Sequence, residues 1–167
     1  MKNRESDLMT LSKRLLFVSM VLYGVGLLLP AFHYDGGSTL GILALLAGCF
    51  PAILGVFAIP SMLGGDMHHD DLMFIGHWCG FANPLLMCAW IALFRKSRRF
   101  GVGFATWAIL FGSLFFLLRK GMYGPNGVAV SHVVGGGGCW LWFGSMAMAL
   151  LSGWALEARS KAPPRRG

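Results

Sequence analysis

The sequence predicts an all-α fold, a polytopic membrane helix bundle of four to five hydrophobic helices. Two observations support this prediction. Five stretches contain no Asp, Glu, Lys or Arg, namely residues 15–32, 36–65, 72–94, 100–118 and 121–156. A helix crosses the roughly 30 Å hydrocarbon core of a bilayer with about 20 residues. The composition agrees, because 56% of the residues are hydrophobic and only 13% are charged, about half the charged fraction of soluble domains.

The first stretch opens the membrane domain. We predict a cytoplasmic basic tail at 1–14, a single transmembrane domain at 15–156 and a disordered basic tail at 157–167. The first apolar run is too long for a signal peptide and lacks a small-residue cleavage site, so it is expected to be retained as a span. The polar segments are too short to bury a core of their own.

The second stretch contains Pro51 midway between Gly41 and Pro60. Each half has about 10 residues, or about 15 Å of helix, and reaches only the middle of a bilayer. Proline lacks a backbone donor and breaks helices, so a re-entrant hairpin is one interpretation. An ordinary kinked span is the other, and residues 39–60 leave both open.

The segment that follows contains the side chains best suited to site chemistry. His68 and His69 stand among aspartates, and His77 and Cys79 come next. Imidazole and thiolate bind transition metals, and an ionisable side chain inside a membrane indicates function. A copper site formed by these four residues, or a haem bound by His77, is one hypothesis. A solvated acidic loop with a hydrogen-bonded interfacial His77 is the alternative.

The last stretch opens with four glycines, Gly135 to Gly138. We expect them to form a flexible entry to the last helix. Trp140, Trp142 and Trp154 lie toward the two ends of that helix. Tryptophan favours the headgroup region, so these residues are predicted to anchor the helix ends at the interfaces.

Small residues at four-residue spacing predict where helices pack, because they allow backbones to approach closely in lipid. The second, third and last stretches contain such residues, namely Ala44, Gly48, Ala52, Gly76, Gly80, Ser145, Ala149 and Gly153. We predict that these faces pack within the bundle. The alternative is that they bind a second membrane protein or another copy of this chain.

The fourteen basic residues predict the orientation. The N-terminal tail, the segment 95–99 and the C-terminal tail hold four each, and Arg119 and Lys120 complete the set. With four spans, twelve lie on one side and two on the other, whereas five spans divide them almost evenly. Basic residues concentrate on the cytoplasmic side. The charges therefore favour four spans with both termini in the cytoplasm.

The four cysteines form no C-x-x-C pair. Each lies in or at the edge of an apolar segment, where a free cysteine behaves as a small hydrophobic side chain. Cys79 and Cys139 both lie near the start of a segment. A disulfide between them requires that both starts face an oxidising compartment.

Several short phrases carry a resemblance. They are Leu-Pro-Ala-Phe at 29–32, Ala-Asn-Pro-Leu-Leu at 82–86, the basic cluster at 95–99, and Trp-Leu-Trp at 140–142 followed by Ser145. In these the chain resembles a family of small bacterial inner-membrane proteins that has no assigned activity. The resemblance implies an architecture and a local helix break at Asn83 and Pro84, in addition to the one predicted at Pro51.

The sequence therefore predicts a non-enzymatic integral membrane protein, an accessory, interaction or immunity-type subunit that works through helix contacts. Its expected partners are the lipid bilayer and another membrane protein or itself, with no nucleic acid. No catalytic motif is present, and no cofactor is expected. The alternatives are a copper or haem handling membrane protein and a small transporter component.

Overall fold

The computed structural model describes residues 2–34, 37–46, 78–117, 122–123, 129–130 and 134–160. Within them the chain is mostly helical. The helices are α1 (Lys2–Leu28), α2 (Ala82–Phe94), α3 (Arg98–Leu117) and α4 (Gly137–Ser160), and a 3-10 turn, Trp78–Phe81, leads into α2. Residues 41–46 are also helical. The strands are β1 (Pro30–Tyr34), β2 (Gly37–Leu40), β3 (Met122–Tyr123), β4 (Ala129–Val130) and β5 (Val134–Gly135).

Three of the described helices are long and apolar enough to cross a membrane. The segments that qualify are Asp7–Leu28, Arg98–Phe116 and Gly137–Leu156, with 22, 19 and 20 residues. The apolar segment Trp78–Phe94 is shorter and extends about 25 Å at the rise of an α-helix. The prediction of a mostly helical chain with several helices that could span a membrane is confirmed.

The structure differs from the all-α prediction at one end of the bundle, where a three-stranded sheet has the order β2-β1-β5. Phe32 of β1 faces Thr39 of β2 and Gly135 of β5 in antiparallel pairs. Pro30 starts β1 because proline has no N–H to continue a helical ladder, and sheets tolerate it as a first strand residue. Parts of three predicted charge-free stretches therefore lie in strands, namely 30–32 of the first, 37–40 of the second, and 122–123, 129–130 and 134–135 of the last.

Helices α1 and α4 extend beyond the apolar stretches that predicted them. Residues 2–14, predicted as a basic tail, belong to α1, and α4 continues through residue 160 into the second predicted tail. Ser12 and Ser152 are buried and hydrogen-bonded to each other across the two helices. The pairing of these turns explains why the helices continue into the charged segments.

The contact between α1 and α4 is antiparallel and repeats every seven residues. The facing pairs are Ser12–Ser152, Ser19–Ser145 and Gly26–Gly138. A seven-residue repeat keeps one face of a helix against its partner over several turns. The side chains at these positions are small, so the two backbones approach closely.

Helices α2 and α3 form a hairpin through a tight turn. The N–H of Lys96 donates to the carbonyl of Leu93 (2.9 Å), and the N–H of Ser97 donates to that of Ala92 (2.8 Å). Lys96 has a φ of 57°, the left-handed conformation that this pattern of helix termination requires. The turn brings Leu93 against Gly101, where an added Cβ would collide with the leucine side chain.

The two ends of the bundle differ in charge. Ser12 pairs with Ser152, and Gly153 lies against Val102 near the start of α3. The basic residues of α1, of the segment 95–99 and of the end of α4 are therefore at one end, named here the basic end. The sheet and the starts of α2 and α4 lie at the other, the sheet end.

The chain is at the sheet end both before and after residues 47–77. The N–H of Gly41 donates to the carbonyl of Leu29 at 2.9 Å, and Cys79 packs in the same apolar cluster as Phe32. Residues 41 and 79 therefore lie at the same end of the bundle.

Candidate functional site

Polar side chains connect α1, α2 and α4 through the interior of the bundle. We call them the polar ladder, and its members are Ser12, Ser19, Tyr23, Asn83, Trp90, Trp142, Ser145 and Ser152. They form three rungs between the basic end and the sheet end. Around them lies the main apolar core, which includes Leu16, Leu86 and Met146.

The first rung is a reciprocal pair of serines. The Oγ of Ser12 donates to the carbonyl oxygen of Ser152 at 3.0 Å, and the Oγ of Ser152 donates to the carbonyl oxygen of Ser12 at 2.9 Å. Both serines are buried. Hydroxyl groups that are removed from water need such partners, because an unpaired buried polar group is costly.

The second rung joins three helices at one hydroxyl. The Oγ of Ser19 donates to the carbonyl oxygen of Ser145 at 2.8 Å and accepts from the indole Nε1 of Trp90 at 2.9 Å. Ser19 and Ser145 have no exposed surface. This single hydroxyl acts as donor and acceptor, so it fixes α2 and α4 relative to α1.

The third rung is centred on the carboxamide of Asn83. Its Oδ1 accepts from the Nε1 of Trp142 at 2.8 Å and from the hydroxyl of Tyr23 at 3.3 Å. The ring of Tyr23 also packs edge-on against Trp90, with centroids 5.3 Å apart. The second and third rungs are therefore in contact.

Beyond the third rung, glycines replace polar side chains. A Cβ at Gly138 would lie 2.7 Å from the carbonyl oxygen of Gly26, and one at Gly136 would collide with the carbonyl of Pro30. A Cβ at Gly41 would also collide with the backbone of Gly26. Of the four glycines predicted to be a flexible entry to α4, Gly136 and Gly138 thus form a close-packed junction, whereas a Cβ at Gly135 or Gly137 would make only ordinary contacts.

Four of the predicted packing residues are buried. Gly80, Ser145 and Ala149 lie in the interior, and Gly153 contacts Val102 of α3. Ala44 is half-buried. The predicted packing residues Gly48, Ala52 and Gly76 lie outside the described residues.

The predicted helix break at Asn83 and Pro84 coincides with the start of α2. The chain changes from the 3-10 turn to the α-helix at Ala82, so Pro84 is in the first turn. The first N–H groups of a helix have no partner within it, and the missing donor of Pro84 therefore costs no helical hydrogen bond. Pro84 is exposed while Asn83 points into the bundle. Pro51 lies outside the described residues.

Three of the predicted metal ligands, His68, His69 and His77, lie outside the described residues. Cys79 is half-buried. Among the residues that the structure describes, no group of three or more His, Cys, Asp or Glu side chains is arranged to hold a metal ion. The copper and haem hypotheses stay predictions.

Most of the polar ladder does not follow from the sequence patterns described above. Trp142 was predicted to anchor the helix at the interface, yet its indole donates into the interior. Ser12, Ser19 and Gly26 follow one another at seven-residue spacing. Gly138, Ser145 and Ser152 have the same spacing, with glycine and serines in the opposite order. This mirrored repeat was a signal in the sequence that predicts an antiparallel pair.

A second apolar cluster lies at the sheet end. Its buried members are Phe115 and Cys139, and the side chains packed against them are Phe32, Cys79, Phe116 and Phe143. The rings of Phe32 and Phe115 stack with centroids 4.4 Å apart. We call this group the aromatic cluster; it connects the sheet to α3 and α4.

Comparisons with known proteins find no family model, no curated protein and no solved structure that matches this chain. The resemblance to small bacterial inner-membrane proteins therefore stays a prediction.

Proposed function

We propose that this protein is a non-enzymatic subunit of the bacterial inner membrane that binds another membrane protein through its lipid-facing helix surfaces. Both termini are in the cytoplasm, and four segments cross the bilayer. The main support is that the polar side chains of the ladder form hydrogen bonds with one another across the helices.

The pairing of the polar ladder supports a structural use of the intramembrane polar groups. Ser12, Ser19, Asn83, Ser145 and Ser152 are the buried polar residues among those described, and each has a hydrogen bond across helices. Outside the polar ladder, the Nε1 of Trp78 is a buried side-chain atom without a hydrogen-bond partner among the described residues. Transporters and membrane enzymes keep polar or ionisable groups facing a cavity or a pathway. Here the polar side chains of the ladder are paired within the bundle and stabilise it. The outer helix surfaces then remain for contact with another membrane protein.

The orientation is supported by the ends of the bundle. The basic end collects basic residues from three separate segments, which is the pattern of a cytoplasmic face. Residues 41 and 79, which follow α1 and precede α2, both lie at the sheet end. With α1, α2, α3 and α4 as the crossings, both termini lie on the basic side.

The surface available to a partner is apolar. Val21 and Leu28 of α1 and Phe100, Trp107 and Leu110 of α3 are all exposed large side chains. In a membrane these side chains face lipid or another protein. Helix association in lipid depends on packing rather than on a hydrophobic force, so a partner helix has to fit these surfaces closely.

Photocrosslinking in cells tests the proposal. A benzophenone amino acid replaces Val21 or Trp107, one position on each exposed surface, and the adducts are identified by mass spectrometry after irradiation. We expect a specific membrane protein to be crosslinked at one of the two positions, with non-irradiated cells as control. Adducts with lipid alone at both positions, together with a monomer in native mass spectrometry from nanodiscs, would contradict the proposal.

A further inference from the structure

Two cysteines from different parts of the chain meet at the sheet end. Cys79 belongs to the 3-10 turn before α2, and Cys139 lies in the first turn of α4. Both pack in the aromatic cluster, where Cys139 is 1% exposed and Cys79 is half-buried. Both are free thiols in the structure.

The adjacent turns hold the two helix starts together. Asn83 follows Cys79 by one turn, and Trp142 follows Cys139 by one turn. The Nε1 of Trp142 is 2.8 Å from the Oδ1 of Asn83. α2 and α4 both run from the sheet end toward the basic end. The residues one turn before Asn83 and Trp142, which are Cys79 and Cys139, therefore also lie near each other.

A disulfide requires an oxidising compartment as well as two cysteines that lie close together. The sheet end is opposite the basic end, so in the orientation of the proposed function it faces the periplasm. Disulfides form and persist in that compartment. The inference therefore rests on the proposed orientation, although not on the proposed binding of a partner.

We propose that Cys79 and Cys139 form a disulfide bond in the mature protein, which joins the start of α2 to the start of α4. The oxidant is a disulfide of a periplasmic thiol–disulfide oxidoreductase. The thiolate of Cys79, the more exposed of the two, attacks one sulfur of that disulfide and forms a mixed disulfide.

The thiolate of Cys139 then attacks the sulfur of Cys79 and releases the oxidoreductase as a dithiol. Two electrons pass to the oxidoreductase, and the two thiol protons are transferred to it through solvent. The bond connects the same helices as the third rung of the polar ladder, one turn closer to the sheet end.

Differential alkylation of the full-length protein tests this inference. Cells that express it in the inner membrane are quenched with acid, denatured and treated with N-ethylmaleimide. The protein is then reduced, treated with deuterated N-ethylmaleimide and analysed as peptides. We expect the heavy label on Cys79 and Cys139, and the light label on Cys88, which is exposed on α2.

The variant Cys139→Ser provides the matched control. It should move Cys79 to the light label, because its partner is gone. A light label on both cysteines in the unaltered protein would overturn the inference. So would a heavy label on Cys79 in the Cys139→Ser variant, since that indicates a different partner.

A parallel sample of isolated membranes treated with diamide separates the causes of a negative result. A Cys79–Cys139 disulfide that forms only with diamide overturns the inference because the sheet end is not in the oxidising compartment. If diamide also fails, the inference is overturned because the two sulfurs do not meet. Neither result bears on partner binding, which photocrosslinking measures independently.

Discussion

At the level of single residues, the hydroxyl of Ser19 is the contact that joins three helices. It has no exposed surface, and it both donates to Ser145 and accepts from Trp90. In the sequence Ser19 is one small polar residue in an apolar run. Its role depends on partners 126 and 71 positions away, so local sequence reasoning did not identify it.

Replacement of Ser19 by alanine should destabilise the bundle. It removes one hydrogen bond across helices and leaves the Trp90 indole without its acceptor, at a cost of about 1–2 kcal/mol in the free energy of unfolding. Unfolding by SDS in mixed micelles, followed by tryptophan fluorescence, measures this loss.

Ser113→Ala is the matched control for that experiment. Ser113 is exposed, and its Oγ donates to the carbonyl of Ile109 in its own helix at 2.8 Å. Its replacement should change the unfolding free energy by less than about 0.5 kcal/mol. Equal effects of the two substitutions would show that the ladder hydrogen bond does not contribute as argued.

At the level of elements, the packing of α1 against α4 depends on which glycine faces the partner helix. Gly26 and Gly24 are two residues apart in α1. A Cβ at Gly26 would lie 3.1 Å from the carbonyl oxygen of Gly138, whereas a Cβ at Gly24 would meet nothing within 4 Å. Composition and spacing predicted that glycines matter for packing, but only the rotation of the helix determines which one does.

Gly138→Ala should therefore weaken the helix pair. The new methyl group would lie 2.7 Å from the carbonyl oxygen of Gly26 and 2.9 Å from that of Leu29, so one helix has to move. Overpacking of this kind costs about 1–3 kcal/mol. The SDS unfolding midpoint measures the change.

Gly24→Ala is the comparison in the same helix pair. Its surroundings are open, and alanine is favoured over glycine within a helix by up to about 1 kcal/mol. We expect an unchanged or higher unfolding free energy for this variant. A loss as large as that of Gly138→Ala would contradict the register of α1 and α4.

At the level of the whole molecule, the basic residues of three described segments lie at one end of the bundle, the kind of separation that orients membrane proteins. The basic residues of three segments meet at the basic end only because α1 and α4 are antiparallel and α2 and α3 form a hairpin. The count of basic residues predicted this separation without any structure. The sheet at the opposite end was not predicted, since its strands pair residues 30–34 with residues as distant as 134–135.

Accessibility to a membrane-impermeant maleimide should report this orientation. We expect Ser38→Cys, in the exposed part of β2, to be labelled in spheroplasts without permeabilisation. Ser97→Cys, in the turn between α2 and α3, should react only after permeabilisation. Both variants are made in a background without the native cysteines, and labelling of Ser97→Cys from outside would reverse the proposed orientation.

The sequence by itself determined that the chain forms apolar helices long enough to cross a membrane, with charge concentrated at helix ends, because charge-free runs of this length are a local property of the chain. Tertiary structure alone decided which serines, glycines and tryptophans meet, and that Trp142 faces the interior rather than an interface. The physical reason is the bilayer itself. Lipid favours every apolar helix equally, whereas buried polar groups and close backbone contacts depend on partners that distant segments provide.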